Sequence, residues 1–389
     1  MTRLSVVGPT HPFRGGISHY TSLLVRALRR RCRVQFLSYS RQYPSWLYPG
    51  ATDRDPSLKP VTLESPDETF DAVSPLAWWR LPRRIALHGS ELVVLPWTVA
   101  YWAPFYYLFL KALNRSSGSP ALFICHNVIE HETSQLKNSL SSRVLCRGDY
   151  FLTHSGWDRD NLLGWIGPDR ADRVTVSPHP VYDHLDAAAI DPDTAPDTAR
   201  ARLGISCDRV LLFFGFIREY KGLRYLLQSL PLILERFRVH LVVAGESWED
   251  LRPYRELIEK LHLEERVTLH AGYVPDEMVP VYFAAADLVV VPYTSATQSG
   301  IVQLAHGFRK PVVAGEVGGI PEAVEPGRTG YLVPPRNPEA IAEAVIRFFS
   351  SAGGSTMPGH IEARLQERSW DRLAEAVEAV GRQNPGGQA

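Results

Sequence analysis

The chain has 389 residues, 45% of them apolar and 22% charged, enough for two ordinary domains with full hydrophobic cores. Its 42 basic residues balance 42 acidic ones, which excludes a net field aimed at nucleic acid or at an anionic membrane, so any charge-driven partner must be met locally. Four cysteines, Cys32, Cys125, Cys146 and Cys207, stand far apart with no Cys-x-x-Cys pair, which excludes a zinc knuckle or dithiol centre and predicts reduced core residues.

In chain order, Met1–Gly8 reads as a buried strand rather than an export signal, and a cytoplasmic protein is expected. Strands are predicted over Arg3–Val7, Val34–Ser38, Leu92–Leu95, Ala121–Cys125, Tyr150–Thr153 and Arg173–Val176. The rhythm repeats over Val210–Phe214, Val239–Ala244, Val267–His270, Leu288–Val291, Pro311–Ala314 and Gly330–Val333. Short β-branched or leucine-rich runs alternating with amphipathic helices are the pattern of parallel sheets covered on both faces. Two doubly wound αβα Rossmann-like domains follow, over 1–185 and 201–363. Residues 186–200, rich in Ala, Asp, Pro and Thr and without apolar periodicity, read as a solvated linker. A helix over 364–383 is expected to pack back on the N-terminal domain, before a flexible polar tail, 384–389.

Leu92 to Leu110 carries no charge and has the length of a membrane span. Pro96 and Pro104 argue instead for a buried strand followed by an aromatic helix. Trp78-Trp79-Arg80, Arg83-Arg84 and the aromatic residues from Trp97 to Leu110 suit a lipid-facing rim, that is, a peripheral membrane contact, as well as they suit plain core packing.

Three loops at predicted strand ends carry chemistry. Phe213 to Leu223 ends a strand, sets Arg218 and Lys221 three apart, and opens a helix after Gly222, an arrangement suited to a diphosphate or to a solvated surface pair. Gly15-Gly16-Ile17 opens a helix where backbone amides can approach an anion, but it lacks the Gly-x-Gly-x-x-Gly spacing and ribose-binding acid of a dinucleotide site. Thr297-Gln298-Ser299-Gly300-Ile301 opens another helix, as a phosphate seat or a plain N-cap. Three Asp-x-Asp triplets, at Asp53, Asp158 and Asp191, read as caps and loop solvation rather than metal ligands, so no metal is expected.

In this order the pieces resemble glycosyltransferase family 4 over nearly the whole chain. Those carrying the resemblance run from Gly15-Gly16 through His126-Asn127-Val128, the Arg218 to Gly222 loop, Leu269 to Val274, Ala286-Asp287-Leu288 and Pro292-Tyr293. They continue through Lys310 to Ala314, Gly318 to Glu322 and Gly327 to Pro334. The resemblance implies a GT-B architecture, two such domains facing across a cleft, and a retaining, metal-independent glycosyltransferase without a cofactor. It implies that Arg218 and Lys221 hold the donor diphosphate, that Tyr273 and Val274 lie by the base, and that His126 faces the donor sugar. The donor would be a UDP- or GDP-linked sugar and the acceptor a glycan or lipid-linked molecule, met in the cytoplasm or at the inner face of the cell membrane.

One family feature is missing. Where the family has two glutamates seven residues apart, a gap-free count back from Lys310-Pro311 finds Ala296 and Leu304, and a one-residue slip finds no acid. Gln298, Gln303 and Glu322 are the polar candidates to replace them. An epimerase of the same fold and a non-catalytic glycosyltransferase-like binding subunit are the rival readings.

Overall fold

The computed structural model describes residues 1–44, 52–58, 60, 64–129, 135–182, 195–350 and 353–383. The chain divides into two compact units. One holds Met1–Asp55, Thr62–Pro180 and Arg368–Ala389, the other Pro56–Val61 and Val181–Glu367. The small excursion of Pro56–Val61 and the return at Arg368 interrupt the simple order of domains that the sequence suggests.

The first unit is built on seven parallel strands: β1 (Arg3–Val7), β2 (Arg33–Arg41), β3 (Glu68–Asp71), β4 (Leu92–Trp97), β5 (Ala121–Cys125), β6 (Tyr150–Thr153) and β7 (Val174–Val176). Their order is β3-β2-β1-β4-β5-β6-β7. Between them run α1 (Gly16–Arg29), α2 (Pro75–His88), α3 (Ala103–Ser116), α4 (Gln135–Leu145) and α5 (Gly156–Ile166). β4 and β5 are buried along their whole length, as central strands covered on both faces must be. Strand β3 escaped the sequence reading because its Glu68 and Thr69 are exposed and only Phe70 is buried.

The uncharged stretch from Leu92 is a strand and a helix, and none of the helices among the described residues is long and apolar enough to cross a membrane. Pro96 lies inside β4. Val93 donates toward β5, so by alternation Pro96 faces β1, where pairing ends at Val94 and no donor is required. Pro104 sits in the first turn of α3, where a missing N–H costs nothing. The proposed aromatic rim is corrected: Trp78, Trp97, Trp102, Tyr106 and Phe109 are core residues. Of that aromatic set, Trp79 and Tyr107 reach solvent.

The second unit repeats the plan with β8 (Val210–Phe214), β9 (His240–Ala244), β10 (Val267–His270), β11 (Leu288–Val291), β12 (Val312–Gly315) and β13 (Gly330–Val333), in the order β10-β9-β8-β11-β12-β13, all parallel. Its helices are α6 (Pro196–Arg202), α7 (Leu223–Leu234), α8 (Arg252–Lys260), α9 (Val279–Ala285), α10 (Gly300–Gly307), α11 (Ile320–Ala323), α12 (Pro338–Ser350) and α13 (Gly353–Arg364). Helix α6 falls where the linker was expected to run on to Arg200. It buries Ala199 against Val281 and Ala285 of α9, and Arg200 reaches Asp287 at 3.0 Å. Seven residues are too few to display helical periodicity. The rest of the linker, the Asp191 triplet and the tail 384–389 lie outside the described residues.

Beyond Arg368 the chain belongs to the first unit, where α14 (Trp370–Arg382) packs on α1. Glu378, nearly buried, accepts from Arg31 at 3.0 Å and pairs with Arg382. Cys32, Cys125 and Cys207 are buried free thiols, whereas Cys146 is exposed, against the expectation that all four sit in the core.

Candidate functional site

Each sheet has a point where the chain reverses the direction in which it adds strands, between β1 and β4 and between β8 and β11. Loops leaving the carboxyl ends of the strands diverge there and leave a crevice, the usual ligand position in an open parallel sheet.

In the second unit, the loop after β8 begins with Gly215 at φ +96° and ends with Gly222 at φ +74°. A Cβ on Gly222 would run into the Pro292 carbonyl oxygen, so glycine is what lets this loop lie against the one leaving β11. The Lys221 side chain folds over Gly215 and its Nζ stands 5.3 Å from the centre of the Tyr293 ring. Only 7% of Lys221 is exposed, and burial, reinforced by the nearby Arg218 charge, lowers its ammonium pKa below the ordinary lysine value. Arg218 lies over the Trp248 ring at 5.2 Å, and that indole donates to Glu246 at 3.2 Å. The backbone fixes this corner too, since Ile217 donates to the Glu246 carbonyl at 2.9 Å. Two cations are thus held on rigid partners, one of them largely withdrawn from water, where an anion would meet them with little reorganisation.

Ser299 caps α10 by accepting from the Val302 amide at 3.3 Å, with Gly300 exposed as the first helical residue. Its hydroxyl also bonds Tyr293, which joins the α10 start to the lysine pocket. The Gln303 side chain is 3% exposed, and its Oε1 has no hydrogen-bond partner. Gln298 precedes the cap, Glu322 is exposed on α11, and Tyr273 and Val274 follow β10 at the same edge, two strands from β8. Ala296 and Leu304, where an acidic pair was sought, are buried apolar residues.

The remaining predicted positions belong to the first unit. Gly15, at φ +103°, caps α1 without a side chain, and the first turn bears no acid, which leaves its amide end electropositive. His126 follows β5, is 4% exposed, and meets the Tyr20 ring edge-on with ring centres 4.4 Å apart. His154 follows β6 and His179 follows β7, so three neighbouring strands each end in a buried imidazole. The rings of His126 and His154 are 5.8 Å apart, those of His154 and His179 4.9 Å. His154 Nδ1 donates to the Ser177 carbonyl at 2.8 Å, which leaves Nε2 to accept from the Tyr20 hydroxyl at 2.9 Å. His179 Nδ1 donates to the Pro180 carbonyl at 2.7 Å, and Trp370 of α14 closes the other side of Tyr20 at 5.1 Å.

Burial lowers the pKa of all three histidines, to about 4 for His154. The neighbouring imidazoles add to the effect at His126 and His179, and Arg368 contributes further at His179. Sequence reasoning found His126 but missed His154, His179 and Tyr20. The available signal was positional: Cys125-His126, Thr153-His154 and Pro178-His179 all follow predicted strands. Two of the acidic triplets have structural work. Asp53 accepts the Arg14 amide through its carbonyl, and buried Asp158 forms a reciprocal cap with Ser155 at 2.8 and 3.0 Å.

Residues 14–184 match the family model described as Glycosyltransferase Family 4, and residues 208–351 match that of Glycosyl transferases group 1. The chain is 34% identical over 222 residues to D-inositol 3-phosphate glycosyltransferase of Corynebacterium glutamicum, a match covering 54% of this chain and 51% of that protein. It spans about half the length of the curated relatives it matches. Among solved structures, sucrose-phosphate synthase of Thermosynechococcus elongatus superposes with a TM-score of 0.73 at 20% identity, covering 98% of this chain and 99% of that one. HepE of Anabaena, solved in complex with UDP, gives 0.73 at 19% identity, covering 98% and 100%. These likenesses give the fold, the GT-B architecture of two Rossmann-like domains.

Proposed function

We propose, since the chain belongs to glycosyltransferase family 4, that it transfers a sugar from a nucleotide diphosphate to a glycan or lipid-linked acceptor in surface polysaccharide or glycoconjugate assembly. The observation that carries the reading is the cation pair at the β8 end, with Lys221 buried and Arg218 braced on Trp248. Buried cations at the switch point of a parallel sheet suit a diphosphate that arrives charged and leaves more charged. The α10 amides beside Ser299 and Gly300 supply further donors, with Tyr273 and Val274 toward the base and Gln298, Gln303 or Glu322 toward the sugar. His126, held neutral, donates or accepts a hydrogen bond at the sugar. The acceptor oxygen attacks the anomeric carbon on the face the diphosphate leaves, and the departing phosphate oxygen takes the acceptor proton, so configuration is retained. No metal and no cofactor are required, and the Gly15-Gly16 amides offer the anion a last contact. The donor is UDP- or GDP-linked, with uridine first to test because the fold neighbour HepE was solved with UDP. The protein works in the cytoplasm, in peripheral contact with the inner membrane face.

A thermal-shift panel of nucleoside diphosphates and their sugars, followed by a transfer assay with and without EDTA, tests this. One nucleotide should raise the melting temperature, and transfer should persist in EDTA. Loss of turnover in EDTA, restored by manganese, overturns the metal-free mechanism. Nucleotide binding without any transfer selects the binding-subunit reading that the missing acidic pair favours, and sugar interconversion without acceptor selects the epimerase.

A further inference from the structure

The outer face of α2 has an unusual composition. Leu76, Trp79, Arg80, Arg83, Arg84 and Leu87 are all exposed, at helical spacing, while Trp78, Leu81, Pro82 and Ile85 on the opposite face are buried. Leu87 is 90% and Leu76 51% exposed, in a unit whose core is otherwise closed over its leucines. The pattern continues onto α3, where Tyr107, Lys111 and Arg115 are exposed, and onto α4, where Lys137 and Arg143 are. Arg115 lies over the Trp79 ring at 5.6 Å and Arg147 over Tyr107 at 4.8 Å, so side chains of α2, α3 and the α4 end form one continuous surface.

This surface is basic although the chain is neutral. Counting Arg147, it carries Arg80, Arg83, Arg84, Lys111, Arg115, Lys137, Arg143 and Arg147, and α2, α3 and α4 contain no Asp or Glu. Arg84 is the member paired, with Glu68 of β3 at 2.6 Å.

We infer that the α2–α3–α4 face docks on an anionic lipid surface, with Leu76, Trp79 and Leu87 entering the boundary between headgroups and acyl chains. Arginines around a shallow apolar ridge match an interfacial helix: stems and indole sit at the boundary while guanidinium groups remain among phosphates. Each cation close to an anionic leaflet strengthens partitioning about fivefold. Nucleic acid would use the cations and stack on the rings but offers nothing to an exposed Leu87, and a second copy of the same face would oppose eight cations with eight. The inference rests on the reading above only for its use, delivery of a lipid-linked acceptor, and membrane binding itself needs no sugar.

The experiment is flotation of the full chain with vesicles of phosphatidylcholine alone or with added phosphatidylglycerol. The protein should float with the anionic vesicles at low salt and be released as salt rises. The variant carrying Arg80→Glu and Arg83→Glu should bind roughly tenfold or more weakly, and Leu87→Ser should weaken binding at constant salt. Nucleotide-induced thermal shifts in the same variants report intact folding, because the donor loops lie on the other unit. Equal partitioning to neutral and anionic vesicles, or unchanged binding of the double variant, overturns the inference. So does binding to a short RNA that both arginines support while vesicles are ignored. Vesicle binding with no sugar transfer leaves the surface standing and sinks the transferase reading, and transfer to a soluble acceptor without vesicle binding does the reverse.

Discussion

The two units share a parallel αβα plan but finish their carboxyl edges in opposite ways. The second unit brings Arg218 and Lys221 onto glycine-bounded loops and keeps their charge although Lys221 is buried. The first buries His126, His154 and His179 side by side and keeps them neutral. A charged edge is suited to a group that is anionic before and after reaction, and a neutral edge to one that must be oriented by hydrogen bonds and dry contact. The contrast teaches that similar folds can divide binding from positioning between them, and each half of that division can be broken separately.

The largest effect is expected at the charged edge. Arg218→Ala and Lys221→Ala should each weaken nucleoside diphosphate binding by about 2 to 5 kcal/mol, the range for removing one partner of a buried charge pair. Both groups serve one anion, so the double variant should lose less than the sum. Calorimetric titration of folded variants checks this, and unchanged affinity in both would reassign the loop to structure.

Next comes His126. If it meets the sugar during transfer, His126→Ala should lower turnover about 10- to 100-fold, equivalent to one buried hydrogen bond left unmade, with little change in affinity for the free nucleoside diphosphate. A normal transfer rate would remove it from the reaction. Parallel loss of melting temperature and affinity would make it a structural residue.

The extent to which these edges were readable in the sequence follows from what each requires of its neighbours. Strands β4, β5, β8 and β11 announce themselves because central strands are apolar throughout, and Arg218 and Lys221 stand within one loop next to Gly222. Strand β3 and helix α6 were illegible since one is a polar edge and the other is held by a tertiary ion pair, Arg200 to Asp287. The histidine row needed three strands to be laid side by side, β5, β6 and β7, before residues 28 and 25 positions apart became neighbours. Nothing local marks Tyr20, whose partners His154 and Trp370 are 134 and 350 residues away.

A smaller effect is expected on acidification. In the unfolded chain these histidines titrate near 6.5, while in the folded unit their affinity for protons is lowered. Above about pH 6.5 neither state is protonated and stability is complete. As the pH falls below that value the unfolded chain binds protons first, and stability drops by about 1.4 kcal/mol per pH unit for each histidine. For His154 the loss runs down to its folded value of about 4. Melting temperatures recorded from pH 7.5 to 5 should therefore decline, and decline less steeply in His154→Phe. Equal slopes would show that the buried row does not govern acid sensitivity.

The smallest effect should come from removing one oxygen, in Tyr20→Phe. The Tyr20 hydroxyl donates to His154 Nε2, and the ring stands edge-on to His126 and is backed by Trp370. Phenylalanine keeps the ring and the packing but releases the hydrogen bond that fixes the ring's position. Leaving the buried Nε2 without its donor should cost about 1 kcal/mol of stability. His126 would then be held by contact alone, so turnover should fall several-fold while KM for the donor stays as it was. Tyr20→Leu, which also removes the ring edge, should reduce turnover further, toward that of His126→Ala. In the His126→Ala background, Tyr20→Phe should change stability but no longer change rate, because the residue it positions is gone. An unchanged rate in Tyr20→Phe, or equal rate losses with and without His126, would show that the tyrosine supports the fold and leaves His126 placed by β5 and its loop.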